Sequence, residues 1–98
     1  MFQIKWTSKA TKEKADALKF WIDKNKSNTY SRKIHLQSKK SLDLLKQNPY
    51  IGQEIFDLKD VRFIVVLRKF SIFYRVVDHS IEILSFWDGH RNPENLKI

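Results

Sequence analysis

The chain is expected to fold as an α+β domain, strand-helix-helix-strand-strand-strand, with a helical hairpin packed on one face of a twisted antiparallel sheet. Three observations point there. Residues 9 to 46 carry apolar side chains at helical spacing in two successive stretches. Between Val61 and Trp87, three apolar, β-branched and aromatic runs follow each other with very short gaps, the pattern of a meander. A short alternating segment precedes the helices. Helices gathered on one side of an antiparallel sheet are the arrangement that buries the apolar surface of both.

From Phe2 to Trp6, the residues Phe2, Ile4 and Trp6 alternate with Gln3 and Lys5, which reads as a short half-buried strand. Thr7 or Ser8 can cap the helix that follows, because a hydroxyl accepts from a free N–H of the first turn. Ala15, Leu18, Trp21 and Ile22 lie at helical spacing, and the helix should fade at Asn25-Lys26-Ser27-Asn28. A second helix is expected from near Thr29, with Ile34, Ser38, Ser41, Leu42 and Leu45 on its buried side. Asn48-Pro49 ends it, since proline disfavours helical geometry in the residue before it. Gly52 marks a turn, and three or four strands complete the chain.

Take Arg68-Lys69 and Asp78-His79 as the hairpin tips. Alternation then puts Phe63, Val65, Leu67, Phe70, Ile72, Tyr74, Val76, Ile81 and Ile83 on one face, which should lie on the helices. The other face holds Arg62, Ile64, Val66, Ser71, Phe73, Arg75, Glu82, Leu84 and Phe86. It mixes charge with exposed aromatic surface, and a partner is expected to cover it. Arg68-Lys69 is poor chemistry for a tight primed turn, which leaves room for a longer tip.

Ninety-eight residues make one small domain, spanning 1–98. There is no cysteine, so disulfide and thiolate chemistry are excluded and a reducing cytoplasm fits. No long apolar stretch or signal-like N-terminus appears, so a cytoplasmic protein without a membrane role is expected. The formal net charge is +8, and residues 9 to 46 hold eleven Lys/Arg against four Asp/Glu. Such an excess suits a polyanionic partner, a nucleic acid or an acidic protein. His35 and His79 have no ligand-type neighbours in sequence, so neither metal nor cofactor is expected.

Several short runs then combine. Asn48-Pro49 with Gly52, Val61-Arg62, Phe70-Ser71-Ile72-Phe73-Tyr74-Arg75-Val76, and Gly89-His90-Arg91-Asn92-Pro93 occur in this order over nearly the whole length. With the element order, they resemble the RelE/ParE superfamily of toxins from type II toxin–antitoxin systems. The resemblance implies a toxin neutralised by a cognate acidic antitoxin in a hetero-oligomer. RelE-like members bind the ribosomal A site and cleave mRNA, whereas ParE-like members inhibit DNA gyrase. Arg62 falls where one cation of the RelE-like nucleases sits. Two others fall on Ser71 and Ile64, which weighs against that chemistry. Tyr74-Arg75-Val76 and the Gly89-to-Pro93 tail look more like ParE. The resemblance therefore favours a gyrase poison, with a ribosome-dependent mRNA endonuclease as the alternative.

For the nuclease alternative, Arg62, Arg75, His90 and Arg91 would share charge stabilisation and proton transfer. For binding a target or the antitoxin, Arg62, Arg68, Lys69, Phe73, Arg75, Leu84, Phe86, His90 and Arg91 are the candidates. Each has a plainer reading. Arg75 faces Glu82 across the strands, and an ion pair would explain it. Arg68 and Lys69 would simply solubilise a tip. Trp6, Trp21, Trp87 and Tyr74 read as core, Tyr74 with its hydroxyl at the edge.

Overall fold

A computed structural model describes residues 2–89. Strand β1 (Gln3–Trp6) runs into helix α1 (Ser8–Asn25) through Thr7. The Thr7 hydroxyl accepts from the Ala10 N–H at 3.2 Å and donates to the Ile83 carbonyl at 2.7 Å, so one side chain caps the helix and ties it to the sheet. The helix stops at Lys26, whose backbone is left-handed (φ 54°) and whose N–H returns to the Ile22 carbonyl. Helix α2 (Thr29–Gln47) follows, and its closing N–H, from Asn48, reaches the Leu44 carbonyl at 3.0 Å. None of the described helices is long and apolar enough to cross a membrane.

The helices meet the sheet along narrow stripes. On α2 the buried residues are Ile34, Ser38, Leu42 and Leu45, as the spacing predicts, together with Ser31, while Ser41, also expected inside, is only half-buried. On α1 they are Ala10, Ala17 and Trp21, with Leu18 partly buried. Ala15 and Ile22, expected inside, are exposed. The stripe runs instead through two alanines whose small side chains let the helix lie close to β5, and this swings Ala15 and Ile22 to the flank.

Four further strands follow: β2 (Gln53–Ile55), β3 (Leu58–Val66), β4 (Phe70–Val77) and β5 (Ser80–Asp88). Their order across the sheet is β1-β5-β4-β3-β2. All neighbours are antiparallel except β1 and β5, which run parallel with Gln3 opposite Ser80 and Trp6 opposite Ile83. Parity explains the mixed sheet. Three hairpin reversals give β5 the opposite direction to β2, which leaves it running the same way as β1. The last turn of α2 lies beside the start of β1, with the Phe2 N–H donating to the Lys46 carbonyl at 3.2 Å. The α+β architecture expected from sequence is the one observed, with this one parallel pair added.

Two local features shift the expected faces. The β3–β4 turn takes three residues, Leu67, Arg68 and Lys69, rather than Arg68-Lys69 alone. Leu67 and Arg68 are both left-handed (φ 54° and 56°), and the Lys69 N–H closes on the Val66 carbonyl at 3.2 Å. Val66 therefore pairs with Phe70, and Ile64 with Ile72. A one-residue change of register inverts a whole strand. Arg62, Ile64 and Val66, expected on the open face, share the side of Tyr74, Ile72 and Phe70. Phe63 and Val65, expected in the core, face away from it, and Val65 is 54% exposed. Leu67 lies in the turn. The second feature is a bulge in β5, where Leu84 has no opposite residue between the Tyr74–Ile83 and Phe73–Ser85 pairs. The extra residue turns Phe86 inward opposite Ile72, and it is 1% exposed, not on the open face as expected. The Asp78-His79 tip is as expected, with Val77 opposite Ser80.

The core joins Ile34, Leu42 and Leu45 of α2 and Trp21 of α1 to Phe70, Ile72, Tyr74, Ile81, Ile83 and Phe86 of the sheet. Trp21 and Tyr30 meet edge to face at 5.1 Å, and Phe70 lies 5.6 Å from Phe86. Beyond Ile83, β1 no longer covers the edge of β5. There Glu13 of α1 accepts from the Ser85 hydroxyl (2.9 Å) and the Phe86 N–H (3.2 Å), closing the open stretch with a side chain.

Candidate functional site

The candidate cations fall into two groups. Arg62 and Arg75 are held by the protein itself. Arg62 sits on β3 beneath the segment that links α2 to β2. Its guanidinium donates to the Gly52 carbonyl (2.9 Å), the Tyr50 carbonyl (3.2 Å) and Glu54 (2.9 Å), and lies 5.4 Å from the centre of the Tyr50 ring. Tyr74 holds the same segment from the other side. Its hydroxyl donates to the Pro49 carbonyl (2.8 Å) and accepts from the Gly52 N–H (2.9 Å). Gly52 is required there by space, because a Cβ would come within 2.8 Å of Tyr74 Cε1. Burial raises the Tyr74 pKa above the usual phenol value, partly offset by the Gly52 N–H and the Arg62 cation. Arg75 donates to Glu82 at 2.7 Å across the β4–β5 pair, as the sequence indicates.

Arg68 and Lys69 lie together at the β3–β4 turn. Arg68 is exposed and has no ion-pair partner among the described residues. Lys69 lies 4.2 Å over the Trp21 ring, whose Nε1–H donates to the buried Asp88 carboxylate at 2.8 Å. The end of β5 is fastened to this turn, with the Gly89 N–H donating to the Lys69 carbonyl at 2.8 Å. A Cβ at Gly89 would stand 2.6 Å from that oxygen, so the join demands glycine. His90 and Arg91 lie outside the described residues. They follow Gly89 in the sequence, and the Gly89 N–H is tied to the Arg68-Lys69 turn.

The apolar candidates are not a free docking face. Phe73 does point away from the helices, against Phe63 at 5.7 Å, but it is 8% exposed. Trp87 is buried on that same side, outside the helix-packed core cluster. Leu84 is half-buried at the bulge. On that face Val65 is exposed, and further exposed apolar side chains lie elsewhere. Leu36 and Leu44 stand out from α2 among Arg32, Lys33, Lys39 and Lys40, and Phe56 at the β2–β3 tip is 99% exposed. That tip borders an open hollow of about 660 Å³. The leucines were legible, since both fall off the stripe that Ile34, Ser38, Leu42 and Leu45 define. Phe56 carries no periodic signal, because the strands beside it are too short to show one. Among the described residues, no group of three His, Cys, Asp or Glu side chains could hold a metal ion.

The described residues thus form a helical hairpin on a small mixed sheet, with Arg68 exposed beside Lys69 at one corner. Residues 4–93 match the family model described as ParE toxin of type II toxin–antitoxin system, parDE, and the chain belongs to that family. Among solved structures, a chain from the "Chromosomal ParDE TA system from P. aeruginosa" is similar with a TM-score of 0.71 and 24% identity. The match covers 90% of this chain and 96% of that one, and it shows a shared fold. No curated protein matches the sequence.

Proposed function

We propose that this toxin inhibits growth in the cytoplasm by binding and poisoning DNA gyrase through protein contact, with a cognate acidic antitoxin holding it in check in a hetero-oligomer. The observation that carries this reading is the commitment of Arg62 and Arg75. Cleaving RNA needs cations and proton-transfer groups that can reach a phosphate. Arg62 instead spends its donors on the Tyr50–Glu54 segment, and Arg75 on Glu82. The family match supports the same choice. The residues assigned to target binding are Arg68 and Lys69 of the turn, with His90 and Arg91 from the sequence after Gly89. The antitoxin's place is the basic helical hairpin, where Leu36 and Leu44 offer apolar contacts among the lysines. Phe73 and Phe86 take no part, being buried.

Purified toxin should block DNA supercoiling by gyrase, and Arg68→Ala with Lys69→Ala should weaken the block at least tenfold while leaving the fold intact. Normal supercoiling at excess toxin would end the gyrase reading. Discrete cuts within codons, seen by primer extension after brief expression and lost in Arg91→Ala, would establish the nuclease reading in its place.

A further inference from the structure

Lys14 differs from its neighbours on α1. Lys9 pairs with Glu13 at 3.2 Å and Lys12 with Asp16 at 3.1 Å. Lys14 falls on the buried stripe of the helix, one turn before Ala17 and Leu18. Its amine reaches across to α2 and lies 3.0 Å from Nδ1 of His35, with the Trp6 ring 5.2 Å below it. No carboxylate pairs with it among the described residues. Burial lowers its pKa from the usual lysine value. The indole face favours the cation, but only weakly at so open a site. His35 lines a shallow interhelical groove with Leu18, Ser31, Arg32 and Leu36, so the pair faces solvent and a guanidinium borders the same space.

A lysine amine is a nucleophile only when neutral, and it is activated by desolvation and an adjacent base. We propose that Lys14 and His35 form an acylation site, in which Lys14 is modified by small acyl phosphates without an enzyme. The neutral amine attacks the acyl carbon. The new C–N bond forms as the C–O bond to phosphate breaks, inorganic phosphate leaves toward Arg32, and the proton shed by nitrogen passes to His35 Nδ1. No electrons change hands. The product is a neutral amide at the middle of the helical hairpin. Its effect on partner binding rests on the antitoxin site proposed above, whereas the acylation itself does not.

The test is to incubate the folded protein with acetyl phosphate and measure initial acetylation rates at each lysine by mass spectrometry. Lys14 should react at least fivefold faster than Lys12 or Lys19 on the same helix. In His35→Ala that advantage should disappear. In His35→Asn it should disappear as well, because an amide oxygen can accept the lysine's hydrogen bond but cannot take its proton. His35 is exposed, and thermal unfolding would confirm that both variants fold. A Lys14 rate at or below that of Lys12, or a fast Lys14 that survives both substitutions, would overturn the proposal.

Discussion

Tyr74 does two jobs with one oxygen. Its ring fills the core, and its hydroxyl satisfies a buried N–H and a buried carbonyl of the segment that follows α2. Tyr74→Phe keeps the ring and strands both groups, which should cost about 1–3 kcal/mol. Denaturant unfolding would show it as a lower midpoint at unchanged slope. The same residue gives stability a pH dependence. Its pKa is raised in the folded protein, so its contribution is complete below the ordinary phenol pKa of about 10 and is lost as pH rises through the folded value. Stability of the wild type should fall above about pH 10, and Tyr74→Phe should fall less steeply there. Ser38 makes the opposite prediction. Its hydroxyl is buried with no hydrogen-bond partner among the described residues. Ser38→Ala should raise the unfolding free energy by about 0.5 kcal/mol from helix propensity alone, read from the same denaturant curves.

Among the elements, β5 depends on a residue from a helix. Glu13→Ala should cost about 1–3 kcal/mol, since it leaves the Phe86 N–H and the Ser85 hydroxyl proton without acceptors, the Ser85 oxygen keeping its bond from Lys9. Hydrogen exchange at Phe86 should speed up with it. Arg75→Ala, by contrast, removes a partly exposed pair and should change stability by about 0–1 kcal/mol. These elements also mark how far the sequence could be read. Helix limits, caps and the Asp78-His79 tip were legible because they depend on neighbours in the chain. The faces of β3 and of the end of β5 were not. Both hang on a single extra residue, Leu67 in a turn and Leu84 in a bulge, and alternation carries no signal for where an extra residue falls. The role of Arg62 was hidden for a related reason, since its partners Tyr50, Gly52 and Glu54 come from a segment without periodicity.

For the whole molecule, the function proposed above has charge and apolar surface divide the work of recognition. Between residues 9 and 46 the chain holds eleven Lys/Arg against four Asp/Glu, and α2 places Leu36 and Leu44 among them. Exposed ion pairs contribute only about 0–1 kcal/mol each, so apolar contact should supply most affinity for an acidic antitoxin while the charge speeds encounter. Stopped-flow kinetics across a salt series should show association slowing steeply and dissociation changing little. An association rate that stays flat would remove the basic hairpin from this interaction.

The pairing of β1 with β5 sets a schedule for synthesis. Thr7 and Ile83 share two hydrogen bonds across 76 residues of chain, and no part of that closure can form before β5 has been made. Sheets that join distant segments fold late, because the loop must be closed before the contact repays it. While the ribosome is still adding β3 and β4, the stripes of the helical hairpin have no finished sheet to lie on. The sheet of this toxin is therefore completed only after most of its own translation is done.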